Sequence, residues 1–264
     1  MLLIGLAFKD SNNQSVFPLS PLEILWANLV TSSPLALGLG LEPAVPDIMS
    51  RPPRRGGVFT WSLIRDKMVY GVTMGSLCLC AFTSVVYGIG NHNLGEDCNS
   101  GHNESCNVVF KARATTFAVL SFTLLVTAWE VKDFNKSLFN MGVVQTSSDH
   151  PHRSKIFSIF PTLYHNKFLF WACISGFVIV FPLVYVPELN RTVFKHQAIG
   201  VEWSVVFGCL AMYMLVIEAW KLIKRRHYAK KRTAMVAEGP DMEKNDDGTE
   251  TETMVGSPDN GSVV

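Results

Sequence analysis

The sequence predicts an all-α protein that crosses a membrane as a bundle of about five spanning helices plus an N-terminal partial helix. Its 264 residues are 48% hydrophobic and only 17% charged, whereas about 25% of the residues of soluble domains are charged. The charges are also segregated, because long uncharged apolar runs alternate with short polar ones. Since a backbone in lipid must satisfy its hydrogen bonds within the segment, apolar runs of about 20 residues are expected to form helices.

Five apolar segments are each long enough to cross a bilayer. The predicted helices cover residues 21–41, 68–90, 113–131, 168–187 and 200–220. The stretch MLLIGLAF at residues 1–8 is too short to span and lacks the basic start of a signal peptide, so we interpret it as the end of a helix whose beginning is missing. We predict a membrane domain over residues 1–227. Residues 228–264, acidic from Ala234 onward, are expected to form a disordered cytoplasmic tail.

Lysine and arginine predict the orientation of the helices. Basic residues concentrate in the loops 42–67 and 132–167 and in KLIKRRHYAKKR, the stretch that follows the last helix. The loop 91–110 has none, and the loop 188–199 has two. The basic loops and the C-terminus are therefore expected to be cytoplasmic. Nothing in the sequence indicates binding to nucleic acid.

The loops assigned to the outside carry three Asn-x-Ser/Thr triplets, which begin at Asn13, Asn103 and Asn190. These asparagines are candidate glycosylation sites, and their location agrees with the predicted orientation. The support is modest, because similar triplets at Asn135 and Asn260 fall on the cytoplasmic side.

Two of the six cysteines, Cys98 and Cys106, lie in the polar loop 91–110. They lack the Cys/His spacing of a zinc site. A disulfide between them is expected if this loop faces an oxidising compartment.

The first predicted helix has a polar stretch, ANLVTSSP, near its centre. Asn28, Thr31 and Ser32 stand at i, i+3 and i+4, so they would share one face of an α-helix. Their neutral oxygens suit hard cations such as sodium, potassium or calcium, and Pro34 loosens the turn around Val30. Alternatively, these residues make only hydrogen bonds and close contacts between helices, as is frequent in membranes. Spacing alone leaves both interpretations open.

A carboxylate lies near the end of the third predicted helix, in LLVTAWEVKDFN. Burying Glu130 in a membrane is costly, so it is a candidate functional residue. Alternatively, Glu130 lies at the membrane interface and either pairs with Lys132 or extends its carboxylate to the headgroup region. Three further carboxylates lie near helix ends, where an interfacial position is the simpler prediction: Glu23, Glu202 and Glu218.

The loop PAVPDIMSRPPRR, at residues 43–55, is basic and carries four prolines. Proline fixes φ and resists helix formation, so this loop is expected to be stiff. A stiff cytoplasmic loop could transmit force to a soluble domain. Alternatively, it is a basic patch at the membrane surface.

One long motif resembles a known family. LEILWANLVTSSPLALGLGLEPAVPDIMSRPPR resembles the sixth membrane helix and following loop of type II P-type cation ATPases, where the pattern is approximately LLWxNLVTDxxPAxALGxxxxxxDIMxRPPR. The pairing of LW-x-NLVT with DIM-x-RPPR at fixed separation is highly specific. FPLSPLEILW and LLVTAWEVKDF look like the fungal sodium/potassium-efflux subgroup, type IID. The resemblance covers about residues 1–225, from the end of the fifth helix through the tenth.

The resemblance implies roles for four residues in the membrane. Asn28 and Thr31 match ion-coordinating residues of the sixth helix. Ser32 stands where calcium pumps carry an aspartate, and its lack of charge favours a monovalent cation over a divalent one. Glu130 matches the carboxylate of the eighth helix, within one residue. The transported ion is thus expected to be Na⁺ or K⁺.

The resemblance also assigns residues outside the membrane helices. The loop containing Asp47, Arg51 and Arg54 corresponds to the one that contacts the phosphorylation domain in the family, so it would couple that domain to the ion site. Cys98 and Cys106 stand where related pumps have a disulfide between the seventh and eighth helices.

The catalytic motifs of the family do not occur in this sequence. It contains no DKTGT, TGES, KGA or GDGxND stretch, so this chain alone is not expected to hydrolyse ATP or to hold a cofactor. Mg-ATP would be used by the missing domains. The expected partners are membrane lipid, monovalent cations and the N-terminal and catalytic portion of the pump, and the family expectation for localisation is the plasma membrane.

The leading hypothesis is therefore the C-terminal half of the ion-transport domain of a sodium/potassium export pump. The alternative is a truncated or accessory membrane protein without catalytic activity of its own. A receptor or channel is a third class, but the sequence shows no pore-like repeat and no receptor motif.

Overall fold

The computed structural model describes residues 8–9, 14–42, 60–91, 94–96, 98–99, 104–132, 164 and 166–238. Within these ranges the regular structure is helical, apart from one isolated antiparallel bridge between Lys9 and Ser15. Five helical stretches are long and apolar enough to cross a membrane. We name them the first to fifth spans, and they cover Pro21–Gly40, Trp61–Ile89, Asn107–Val131, Lys167–Tyr185 and Trp203–His227. The prediction of an all-α membrane bundle with five spans is confirmed.

The spans differ in regularity. The third and fourth are single α-helices. The first consists of an α-helix, a π-helix and a second α-helix, which cover Pro21–Trp26, Ala27–Ser32 and Ser33–Gly40. The second is α-helical over Trp61–Thr83 and π-helical over Ser84–Ile89. The fifth belongs to a longer α-helix, Trp203–Glu238, and two short elements lie between spans, a 3₁₀ turn at Glu104–Cys106 and a π-helix at Glu188–Phe194.

Three helix ends lie well outside the predicted limits. The structure starts the second span at Trp61, starts the third at Asn107 and ends the last helix at Glu238. Hydropathy detects only the apolar part of a helix, whereas backbone hydrogen bonds continue through charged turns. The predicted tail at residues 228–264 therefore begins inside a helix, and its part from residue 239 lies outside the described residues. The predicted partial helix at residues 1–8 also lies outside them, except for Phe8.

The third span forms the centre of the bundle. Residues buried inside the bundle make up 72% of its apolar stretch, against 28% for each of the other four spans. Its fully buried alanines, Ala112, Ala114 and Ala118, let neighbouring helices approach closely. Phe117 and Leu125 are also fully buried and pack against the surrounding spans. The other four spans keep wide apolar surfaces, which suit lipid or further helices.

A disulfide closes the loop between the second and third spans. Cys98 and Cys106 are bonded, with Cα atoms 5.5 Å apart. Gly95 lies beside them with a φ of 65°, and a Cβ there would lie 2.5 Å from the Cys98 sulfur, so this position requires glycine. We call this the disulfide end of the bundle. The first, third and fifth spans start there, and the second and fourth end there.

The first and fourth spans come into close contact at the opposite end. A Cβ added to Gly38 would lie 3.0–3.1 Å from atoms of Leu169, including its Cα. Asn166 caps the fourth span, because its side-chain oxygen accepts a hydrogen bond from the Leu169 N–H at 3.0 Å. The amide nitrogen of Asn166 donates to the Gly38 carbonyl at 2.7 Å. Glycine at position 38 therefore lets the first span approach the fourth closely enough for the Asn166 side chain to bond its backbone.

Candidate ion-binding site

The predicted polar stretch forms the π-helix of the first span. Ala27–Ser32 adopts this wider turn between two α-helical segments. Pro34 follows and has no N–H to donate back into the turn, in keeping with the predicted loosening of the helix. The hydroxyl of Ser33 donates instead to the carbonyl oxygen of Asn28, five residues earlier, at 3.1 Å. Single π-turns within α-helices are rare and are frequently found at functional sites.

The wider turn separates the residues that were predicted to share one face. Thr31 is buried against the rest of the bundle, Ser32 is half-buried and Asn28 is exposed. In a π-helix the hydrogen bonds join residues five apart, which is the separation of Ser33 from the Asn28 carbonyl that its hydroxyl reaches. The π-helix also contacts the third span. The structure thus places the hydroxyl of one candidate ligand, Thr31, inside the bundle and the amide of another, Asn28, on its surface.

Glu130 is fully buried and is held by a lysine. Its carboxylate pairs with the ammonium of Lys221, which comes from the fifth span and is also buried. Lys221 further donates to the backbone carbonyl of Glu130 at 3.1 Å. Neither interpretation of the sequence included Lys221 as the partner. Lys132, the partner considered there, pairs with Glu42 at 3.0 Å. The predicted role of Glu130 as a ligand of a transported ion therefore competes with an internal cation.

A second buried pair lies one helical turn further along the fifth span. Lys224 pairs with Asp66 of the second span, and the indole N–H of Trp220 donates to the same carboxylate at 3.1 Å. Leu222 and Ile223, between the two lysines, are 43% and 60% exposed. This inverted pattern is typical of a helix that faces lipid on one side and places its polar residues against other helices.

Glu23, near the start of the first span, is also fully buried within the bundle. It closes a capping box with Ser20, and its carboxylate contacts the imidazole of His196. Burial and the nearby charge of Arg113 lower the pKa of His196 to about 3, so this imidazole is neutral at physiological pH. The capping box was detectable in the sequence SPLE, since a Ser with a Glu three residues later marks a helix start.

Arg113 ties the disulfide end together. This guanidinium is 2% exposed and donates to the Phe17 carbonyl at 2.9 Å, the Cys98 carbonyl at 3.1 Å and the Asn99 side-chain oxygen at 2.7 Å. It also lies within electrostatic range of Glu23. One buried charge thus joins the start of the first span, the disulfide loop and the third span.

Glu202, also predicted at the interface, is 3% exposed at the same end. Burial raises its pKa, but hydrogen bonds from backbone N–H groups and the charge of Lys111, 3.6 Å away, outweigh burial and lower it overall. Glu202 is therefore ionised at neutral pH and fixes the start of the fifth span.

The predicted coupling residues Asp47, Arg51 and Arg54 lie outside the described residues. Glu42, where this loop leaves the first span, is among the described residues. Its carboxylate pairs with Lys132 at 3.0 Å and accepts a hydrogen bond from the Asn166 side-chain amide at 2.9 Å. The first, third and fourth spans are therefore tied together where the loop begins.

The structure describes one of the three candidate glycosylation sites. Asn190 is 3% exposed, and its side-chain amide donates to the Val184 carbonyl at 2.8 Å. A glycan needs an exposed amide, so this fold does not favour glycosylation of Asn190. Asn13 and Asn103 lie outside the described residues.

The comparison with protein families decides what the bundle belongs to. A family model described as "Cation transporting ATPase, C-terminus" matches residues 16–223. The chain belongs to this family. The resemblance inferred from the paired motifs is confirmed.

Several relatives of this chain are much longer proteins. The chain is 43% identical over 234 residues to "Sodium/potassium exporting P-type ATPase 1" of Saccharomyces cerevisiae and covers 21% of that protein's length. It is 46% identical over 228 residues to "Sodium/potassium exporting P-type ATPase cta3" of Schizosaccharomyces pombe, again with 21% coverage. These alignments include 88% and 85% of this chain. A "Calcium-transporting ATPase 1" of Bacillus cereus is 27% identical over 210 residues, which are 79% of this chain and 21% of that relative.

Proposed function

We propose that this chain supplies the C-terminal half of the ion-transport domain of an ATP-driven pump that exports sodium or potassium. The relatives with 43% and 46% identity carry that activity in their names, whereas the calcium-transporting relative is only 27% identical. The chain spans about a fifth of their length. Binding and hydrolysis of Mg-ATP would therefore belong to the N-terminal and catalytic portion, which is the main partner of this chain.

The π-helix of the first span is the observation that carries the proposal. A π-turn brings polar side chains and backbone carbonyls out of the α-helical register, and such irregular backbone at membrane depth is tolerated only against protein or a wet cavity. We propose Thr31 and Asn28 as ligands of the cation, with Ser32 as a weaker candidate. Their oxygens are neutral, which suits a monovalent ion better than a divalent one. Since Asn28 is exposed in this part of the pump, further helices of the longer protein would complete its side of the site.

The catalytic domains would be coupled to the ion site through the end of the bundle that lies opposite the disulfide end. The contacts of Glu42 with Lys132 and Asn166 support a rigid base for the loop that holds Asp47, Arg51 and Arg54. A push on that loop would then move three spans together. We propose that this end is cytoplasmic, that the disulfide end is extracytoplasmic, and that the pump resides in the plasma membrane. No specific observation favours the alternative of an accessory protein.

Asparagine-to-alanine and threonine-to-valine changes test the ligand assignment in the complete pump. Asn28→Ala and Thr31→Val are each expected to raise the sodium concentration for half-maximal phosphoenzyme formation by about tenfold, which corresponds to the loss of one ligand. Leu29→Ala is the matched control, because Leu29 lies in the same π-helix and is 60% exposed. Sodium dependence within about twofold of the unsubstituted pump for both ligand variants would contradict the assignment.

A further inference from the structure

The contact between Lys221 and Glu130 resembles the coordination of a bound cation. The ammonium meets a carboxylate oxygen and the backbone carbonyl oxygen of the same residue. Carboxylate and carbonyl oxygens are also the ligand types that proteins offer to hard metal cations. Both residues lie within candidate membrane spans, where an unpaired charge is expensive.

The residues around the Glu130–Lys221 pair shield it from water. Tyr70 of the second span and Tyr213 and Glu218 of the fifth lie within electrostatic range of the Glu130 carboxylate. The Tyr213 hydroxyl is hydrogen-bonded to the Thr127 hydroxyl, at 2.5 Å. Tyr70 and Tyr213 also belong to one buried apolar cluster. Water is thus kept from the pair, and the ammonium is the group placed to neutralise Glu130.

Lys221 is not a lysine that extends towards the membrane surface. It is 1% exposed, whereas its neighbours Leu222 and Ile223 are largely exposed. A lysine near a helix end usually directs its charge to water along the helix surface. The side chain of Lys221 therefore points into the bundle, where its ammonium pairs with the Glu130 carboxylate.

We infer that Lys221 is a tethered cation that occupies the Glu130 carboxylate in place of a transported sodium or potassium ion. This inference rests on the proposed function and changes the ligand set of its ion site. Glu130 then contributes no negative charge to the transported ion, because the pump's own ammonium cancels it. The transported ion is held by neutral oxygens such as those of Thr31 and Asn28, and Lys221 helps to set the affinity for cations.

Charge balance makes the inference testable in the complete pump. Glu130→Gln leaves the positive charge uncancelled and is expected to raise the half-saturating sodium concentration at least about fivefold. Lys221→Met leaves the negative charge uncancelled and is expected to lower it by a similar factor. The double variant E130Q/K221M removes both charges and is expected to lie within about twofold of the unsubstituted pump. Sodium dependence is measured as phosphoenzyme formation, normalised to its maximum.

The double variant decides the outcome even if either single variant fails to fold. If Glu130 binds the transported ion directly, E130Q/K221M loses sodium affinity about tenfold or more, and the inference is overturned. Lys224→Met is the matched control, since Lys224 also forms a buried pair but binds Asp66. An equal effect of K224M and K221M on half-saturation would also overturn it. Failure of the proposed function appears separately, as an unchanged sodium dependence in the Asn28 and Thr31 variants.

Discussion

Replacing Arg113 by leucine is expected to destabilise the complete pump by about 3 kcal/mol or more, because a hydrogen bond to a charged group contributes about 1.5–3 kcal/mol and Arg113 makes three of them. The change deletes three hydrogen bonds that join Phe17, Cys98 and Asn99. It also removes a positive charge that lies within electrostatic range of the buried Glu23. Thermal unfolding of the detergent-solubilised pump, followed by size-exclusion chromatography, measures the effect.

Lys111→Leu is the matched control for this change. Lys111 lies two residues earlier in the same helix, and its side chain is 39% exposed beside Glu202. Lys111 is largely screened by water, and Glu202 keeps its hydrogen bond from the Gly200 N–H, so the cost should be about 1 kcal/mol and the melting temperature should fall less than in R113L. Arg113→Lys is expected to give an intermediate result, because it keeps the charge and loses the planar set of donors. If R113L and K111L unfold at the same temperature, Arg113 does not hold the disulfide end of the bundle together.

Replacing Gly38 by valine is expected to separate the first span from the fourth at a cost of about 1–3 kcal/mol. The new Cβ would lie 3.1 Å from the Leu169 Cα, and backbone cannot move aside as a flexible side chain can. The separation would also lengthen the hydrogen bond from Asn166 to the Gly38 carbonyl. Because the first span carries the candidate ion ligands, sodium affinity should fall together with the melting temperature.

Gly40→Val is the matched control, since a Cβ at Gly40 has no atom within 4 Å. Both variants lose a helical glycine and gain the same β-branched side chain, so their difference isolates the contact with Leu169. Equal melting temperatures and equal sodium dependence for G38V and G40V would show that the close approach does not matter.

The number and type of spans followed from the sequence because length and hydropathy are local properties. A run of about 20 apolar residues has few alternatives to a helix in lipid. The helix ends were less predictable. Asp66, for example, lies in the second span but outside its apolar run. Its partner Lys224 is 158 residues away in the sequence. A window of hydropathy contains no information on such a partner.

The candidate site was predictable in its residues and not in its geometry. The motif identified Asn28 and Thr31, but the spacing assumed an α-helix, whereas the π-helix gives them different surroundings. Likewise, Glu130 stood out as a charge in an apolar segment, while Lys221 was one of many basic residues after the last apolar run. Which lysine turns inward depends on how the third and fifth spans pack, and the sequence alone does not give that packing.

The pairing of Glu130 with Lys221 has a consequence for the biosynthesis of the protein. The two residues are 91 positions apart, so at about 5–20 residues per second the ribosome needs roughly 5–18 s to add the lysine after the glutamate. The third span must therefore enter the membrane before its counter-charge exists. Throughout that interval the Glu130 carboxylate lacks its Lys221 partner, and the pair can form only when the last span docks against the third.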